Sequence, residues 1–250
     1  MKYLLSLFFG CLLSFSTFAQ QIDTIDLAQQ DLQINQLKEG TRTYLEFIER
    51  ADGSVAHASI WERTVSFGKH KNEDVVIIEQ NWKNQDTIRR RYLYSISRRK
   101  DFSPIYHRTR NGQGTIEAYN FTEGKVIGAD SVANNTKKGF EVAHKQPLLN
   151  WELDMETFQT LPFKKGTTFV INFYHPGGKT PPQYYEYKVA AEEKIATGMG
   201  EAIACWRLDI QYGSEGSASF WFSKATSEMI KMKSEFNGIK RYKIKFATPS

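Results

Sequence analysis

The chain has 250 residues, 40% of them hydrophobic, 14% aromatic and 24% charged, with a formal net charge of +5. That composition excludes a disordered or collagenous chain, and two cysteines exclude a disulfide framework. The charge is too modest to mark a nucleic-acid-binding protein, and beyond the N-terminus no stretch is long and apolar enough to span a bilayer as a helix.

Lys2 precedes an almost unbroken apolar run from Leu4 to Phe18, and the small residues Thr17 and Ala19 stand before Gln20. This is the pattern of a cleavable secretory signal peptide over residues 1–19. It leaves residues 20–250 as a single exported β domain, periplasmic or secreted, with a softer joint near 132–150. Cys11 follows Gly10 as a lipidated cysteine would, but it lies inside the apolar run with Leu12 and Leu13 after it. Once the signal is removed Cys205 has no partner, and it is expected as a thiol lodged among apolar neighbours in a monomer.

Residues 22–37 are polar with scattered Ile and Leu, and fit a short helix only loosely. From Tyr44 onward, short runs of β-branched and aromatic residues alternate with Gly, Asn and Asp. They predict strands near 42–50, 56–67, 74–83, 86–97, 102–110, 114–121 and 124–131, with turns at Asp52-Gly53, Asn111-Gly112 and Glu123-Gly124. Such short connections require antiparallel neighbours. An amphipathic helix follows, with Asn150 as its cap, Trp151, Met155 and Phe158 on one face, and Pro162 limiting its end.

A second set of strands is predicted near 167–175, 183–195, 201–212, 217–223, 227–236 and 239–247. Trp206, Leu208, Ile210 and Tyr212 alternate with Cys205, Arg207, Asp209 and Gln211. Ile230 and Met232 alternate with Lys231 and Lys233, and Tyr242 and Ile244 with Lys243 and Lys245. A period of two is what a sheet with one buried face requires. The expected architecture is a single twisted antiparallel sheet of about 11 to 13 strands, curling around the helix that starts near Asn150. Its inward set comprises Trp151, Phe158, Trp206, Leu208, Ile210, Ile230, Met232 and Ile244. A two-sheet sandwich is the alternative, since sheets above about 10 strands curl or split.

Catalytic chemistry finds little support. His57, His70, His107, His144 and His175 share no metal-ligand spacing, and there is no HExxH or paired-cysteine motif. His107 reads as a surface strand residue and His175 as the start of a loop. Gly213-Ser214-Glu215-Gly216-Ser217 is a hairpin connection without the nucleophile-elbow pattern of a hydrolase, the least favoured reading. No enzyme, metal or cofactor is expected. Arg89-Arg90-Arg91 and Arg98-Arg99-Lys100 bracket aromatic residues, but strand alternation splits each triplet between two faces, against a nucleic-acid surface.

The segments Leu161-Pro162-Phe163-Lys164-Lys165-Gly166-Thr167, Glu193-Lys194-Ile195-Ala196-Thr197-Gly198-Met199-Gly200, Ala204-Cys205-Trp206-Arg207-Leu208, and Ser219-Phe220-Trp221-Phe222-Ser223 through Met229-Ile230-Lys231-Met232 resemble the exported bacterial family called domain of unknown function 3108. The resemblance spans about residues 40–247 and is most specific over 158–234. It implies a mainly β fold, a large and strongly curved antiparallel sheet forming an unclosed half-barrel like that of the lipoprotein carriers LolA and LolB. It implies no reaction and carries over no catalytic residue.

The functional expectation is a non-catalytic cell-envelope protein that binds an apolar or amphipathic, lipid-like ligand. Trp151, Trp206, Trp221 and Tyr212 are the candidate ligand-binding residues, and Arg89, Arg90, Arg91, Lys243 and Lys245 the candidate rim for an anionic headgroup. The alternative is a scaffold for an envelope protein partner, with a fully packed interior.

Overall fold

The computed structural model describes residues 21–196, 200–214 and 216–246. The expected signal peptide and Cys11 lie outside them. Sixteen strands form one sheet: β1 (Gln21–Thr24), β2 (Gly40–Glu49), β3 (Val55–His70), β4 (Glu73–Lys83), β5 (Arg91–Arg98), β6 (Pro104–Asn111), β7 (Ile116–Thr122), β8 (Lys125–Gly128), β9 (Glu141–Ala143), β10 (Leu149–Asn150), β11 (Thr167–Tyr174), β12 (Gln183–Ile195), β13 (Ile203–Tyr212), β14 (Gly216–Ser223), β15 (Met229–Phe236) and β16 (Ile239–Lys245).

Two antiparallel meanders, β2 to β9 and β11 to β16, are sewn together by β16 pairing with β2, from Lys240 opposite Glu49 to Lys245 opposite Tyr44. Two-residue turns hold their register. Lys71-Asn72 and Asn237-Gly238 both take positive φ at each central position, as the twist of a tight hairpin requires.

The expected half-barrel is corrected. The sheet is large and mixed: β1 and β10 both run parallel to β11, so it is neither wholly antiparallel nor the strongly curved form anticipated. Its strand path runs open from β1 to β9. The reason lies in the N-terminal segment. Instead of a helix, residues 21–36 give an edge strand and two 3-10 turns, at Leu27–Gln29 and Ile34–Gln36, and the strand adds to β11 across a long crossover. Likewise Thr87–Arg89 is a 3-10 turn capped by Asp86, so β5 begins at Arg91. Gly112 fits against that turn because a Cβ there would lie 1.7 Å from the Thr87 carbonyl oxygen.

One face of the sheet is covered by a short helical segment, with Leu27, Leu32, Ile34 and Leu37 of the N-terminal segment packed into the same core. Asn150 Oδ1 accepts from the Glu152 amide and caps a 3-10 turn, Trp151–Leu153, which continues into α1 (Asp154–Gln159). Phe158 is fully buried, its ring 4.7–6.1 Å from those of Tyr187, Phe220, Phe173 and Phe222. Leu208, Ile210 and Met232 complete this part of the core, as alternation predicts. Cys205 is buried with Trp221 and Ile230 in a smaller cluster on the other face.

Two residues of the expected inward set are corrected. The β14–β15 register shifts between Trp221 and Phe222, which turns Ile230 to the opposite face from Met229 and Met232. In β16 the parity is the reverse of the hydropathy: Lys243 is 8% exposed and Ile244 38%. Lys243 lies opposite Glu46, which also points to the covered side, and a strand's parity moves all its side chains together.

This assignment separates two substitutions that hydropathy would treat alike. Phe158→Ala should cost about 3–5 kcal/mol by urea denaturation, whereas Ile244→Ala should stay within about 0.5 kcal/mol of the parent. Comparable losses at both positions would place Ile244 in the core and reject the β16 parity.

Candidate functional site

The covered face is divided. From β11 to β15 it is aromatic and aliphatic, but from β16 through β2 to β6 it buries Lys243, Glu46, Ser59, Arg63, Gln80, Ser95, His107 and Thr109. The helical segment matches the division: Met155 and Phe158 join the apolar core, while the Glu152 and Glu156 carboxylates meet arginines of the polar half.

Arg63, on β3, is the centre of the polar half. Its Nε donates to Glu156 Oε1 at 2.8 Å and one Nη to Glu156 Oε2 at 2.5 Å, a bidentate pair. Two more of its donors reach Gln80 Oε1 at 2.9 Å and the Glu152 carbonyl at 3.0 Å. Gln80 Nε2 also donates to that carbonyl, at 2.7 Å. Burial works against the Arg63 charge, but Glu156 more than offsets it, so the guanidinium stays protonated.

Beside this network, Trp61 on β3 and Trp82 on β4 are direct cross-strand partners, their rings 3.8 Å apart and 8° from parallel. Both outer faces of the stack are taken by cations: Lys243 Nζ lies 4.3 Å from the Trp61 centroid and the Arg91 guanidinium 4.5 Å from that of Trp82. The indole N–H groups donate to Ser59 Oγ at 2.9 Å and Gln80 Oε1 at 3.1 Å. Burial brings the Lys243 ammonium down to about 8, against the attraction of Asp154. Burial likewise raises the Asp154 carboxyl, with Lys243 and Arg63 opposing. At Glu152 burial is outweighed by Arg91, His175, His107 and Arg63, which hold its carboxyl below the usual range.

At the rim, Glu46 is a buried carboxylate with three partners. Ser59 Oγ donates to it at 2.7 Å, His57 Nε2 lies 3.3 Å away and Arg241 Nε 3.2 Å. Glu46, His57, Arg241, Trp61, Trp82, Arg89 and Arg91 line a recess of about 240 Å³. It shares His57, Ser59, Asn84 and Arg89 with a wider recess of about 1020 Å³, whose apolar lining is Leu45, Ala56, Ala58 and Ile60 and whose basic lining includes Arg90 and Lys83. Leu45, Ala58 and Ile60 alternate with Glu46, Ser59 and Trp61, so the arginines and indoles stand on the covered face and the aliphatic side chains on the reverse, at the edge of β3 where β4 ends at Lys83. Two further recesses lie elsewhere, about 520 Å³ beside Leu27, Phe121 and Leu148, and about 260 Å³ beside Phe163 and Trp206.

The residues singled out from the sequence fall into separate places. Trp151 packs against Tyr185 and Phe173, with Tyr212 6.2 Å away, at the apolar half. Trp206 borders the small recess at Phe163 under the Lys224 ammonium, 4.0 Å from its ring. Trp221 lies on the other face, its indole donating to Glu193 Oε2 at 2.7 Å. Arg89, Arg90 and Arg91 converge on the joined recesses, Lys243 caps the tryptophan stack behind them, and Lys245 pairs with Glu228 at 2.7 Å alongside Arg42. Trp61, Trp82, Glu46, His57 and Arg241 were not anticipated. Counting outward from a two-residue turn at Lys71-Asn72 places Trp61 opposite Trp82, and that signal was available.

The nearest approach to a nucleophile and base is Ser95 Oγ, 2.8 Å from His107 Nδ1, with His107 Nε2 3.1 Å from Thr109 Oγ1. His107 is 1% exposed, contrary to its reading as a surface residue, and both partners are buried beneath strands. The Gly213–Ser217 connection is a hairpin turn between β13 and β14, with Glu215 outside the described residues. Among the described residues no helix is long and apolar enough to cross a membrane, and no three metal-ligating side chains are grouped.

The family model described as "Protein of unknown function (DUF3108)" matches residues 50–245, from β3 to β16 with the helix between the two meanders. No curated protein matches the chain. Among solved structures, an exported protein with a YmcC-like fold from Bacteroides fragilis is similar at 12% identity and a TM-score of 0.34, covering 83% of this chain and 94% of its own. A DUF1329 family protein from Desulfovibrio piger is similar at 10% identity and a TM-score of 0.32, covering 88% of each. Likenesses of this degree establish neither a shared fold nor a function.

Burial depresses the His107 imidazole from its ordinary 6.5 to about 4. Between those values the unfolded chain binds the proton and the folded one does not, so stability falls as the pH drops from 6.5 towards 4. The term is worth about 3 kcal/mol over the window. His107→Gln should remove that part of the acid dependence in urea denaturation at stepped pH. An unchanged slope would show that His107 titrates normally in the fold.

Proposed function

We propose that this chain, which belongs to the DUF3108 family, is a non-catalytic cell-envelope protein that holds an anionic amphiphile in the joined recesses of its polar half. The observation that carries this reading is the convergence of Arg89, Arg91 and Arg241 around the two stacked tryptophans, in a recess that shares His57, Ser59, Asn84 and Arg89 with a wider one reaching aliphatic side chains at the edge of β3. A ligand's anionic group suits the arginines, whose planar forks meet carboxylate or phosphate. Its apolar part suits Leu45, Ala56, Ala58 and Ile60. Pockets that bind small molecules commonly combine an apolar lining with a few placed polar groups.

The aromatic half of the covered face is a poorer host. Phe158 and Met155 fill it, and Trp151, Tyr185 and Tyr212 pack on one another there. Burying Arg63, Glu46 and Lys243 in place of apolar residues is the kind of local departure from a well-packed core that functional sites display. Glu46 supports the reading as a positioning group: one carboxylate oxygen takes Arg241 from β16 and the other His57 from β3, the strands on either side of β2, and both side chains line the recess.

Native mass spectrometry of the protein purified from producing cells, with thermal melting as a folding control, tests the proposal. A bound anionic amphiphile is expected. It should be lost, or weakened about tenfold or more, in Arg91→Gln/Arg241→Gln, since hydrogen bonds to charged groups are worth about 1.5–3 kcal/mol each. Trp206→Ala should retain it. A ligand-free protein that also fails to bind a fluorescent fatty acid at micromolar concentration would replace this reading with that of a protein-binding scaffold.

A further inference from the structure

The uncovered face of the sheet carries a second feature, independent of the recess. Across β5 and β6, Tyr92 stands opposite Arg110 and Tyr94 opposite Arg108, and Tyr106 precedes Arg108 by two residues on the same face. All five side chains are half-buried or exposed. The neighbouring carboxylate, Glu79 of β4, lies opposite Tyr94 and accepts from the Tyr92 hydroxyl at 2.7 Å. Among the described residues neither Arg108 nor Arg110 has an ion pair, unlike Arg63, Arg98 or Arg207. None of the five lines the four recesses described above.

We propose that this Tyr-Arg face of β5 and β6 binds an anionic polysaccharide. Arg108 and Arg110, two residues apart on one strand with Cα atoms about 7 Å from each other, present two guanidiniums without ion pairs on the same face, able to take two acidic groups of one chain together. Being open sheet surface with no enclosing wall, the patch suits an extended polymer more than a compact ligand. Three tyrosines give ring faces and hydroxyls, which pack against the apolar faces of sugar rings and hydrogen-bond to their rims. The ring geometry disfavours single-stranded nucleic acid: Tyr94 and Tyr106 stand 62° apart with centroids at 6.3 Å, so they offer no coplanar platform for successive bases. A membrane is disfavoured too: on this face Ile96 is buried and Ile77 and Ile116 are half-buried, and none of the exposed large apolar side chains lies there.

Affinity electrophoresis through gels cast with polygalacturonate tests the inference, with neutral dextran as the uncharged comparison. The wild-type chain should be retarded by the polyuronate, less so as salt rises, and not by dextran. Arg108→Gln/Arg110→Gln should weaken the retardation at least tenfold, and Tyr94→Ala severalfold. Lys138→Gln/Lys179→Gln, which removes the same charge from exposed positions elsewhere, should leave it unchanged. All variants should melt within a few degrees of the parent. Absent retardation, equal loss in the lysine control, or tighter binding of oligothymidylate or of phosphatidylglycerol vesicles than of the polyuronate would overturn the proposal. Because none of these residues touches the recess, loss of polyuronate binding with retention of a co-purified amphiphile separates this inference from the preceding one.

Discussion

A guanidinium placed in the middle of a sheet, away from water, is tolerated only if its charge is met and each of its nitrogens finds an acceptor. Arg63 satisfies that condition through Glu156, the Glu152 carbonyl and Gln80, and three of those four links run from β3 to the helical segment between the two meanders. The interaction therefore decides where the helix sits and which of its sides faces which half of the sheet. With Glu156 held against β3, Phe158 is directed to Phe173, Tyr187, Phe220 and Phe222, and Glu152 comes within 3.5 Å of Arg91. Arg91 in turn caps Trp82, and Trp82 donates to the same Gln80 oxygen that Arg63 uses. The rim of the recess is built outward from one ion pair.

Such a pair is a poor device for stability alone. Removing both charges from water costs several kcal/mol each, and apolar replacements of similar size are often as stable or more so. Lys243 adds to the burden, its ammonium lowered to about 8 by burial beneath Trp61 and near Asp154. A fold that needed only a core would fill these places as it fills the β11–β15 half. That contrast within a single sheet face sets the polar half apart from the aromatic half as the candidate site.

Much of the fold was legible. Alternation in 204–212 placed Leu208 and Ile210 inward and Cys205 on the reverse, where it is buried with Trp221 and Ile230, and Asn150 was recognisable as the helix cap. The same rule failed at β16 for a physical reason. Alternation identifies two faces, and hydropathy chooses between them only if the buried face is apolar. On β16 the buried face holds Lys243, so Ile244 points outward beside Leu45. The parallel additions of β1 and β10 to β11 were illegible because long-range strand pairing leaves no local periodicity. The site was partly within reach: the arginines at 89–91 stood out by composition. Trp61, Trp82 and Glu46 needed the hairpin register to be put beside them.

The claim that Arg63 and Glu156 form one coupled unit, and that the helix depends on the pair more than on either charge, is tested most directly by a double-mutant cycle in urea denaturation. Arg63→Met and Glu156→Leu are each expected to lose about 3–5 kcal/mol, because each strands a buried charge, while the double variant recovers most of that loss. Losses that simply add would contradict the account, showing that the two side chains contribute separately and that the polar half is not organised around their pairing.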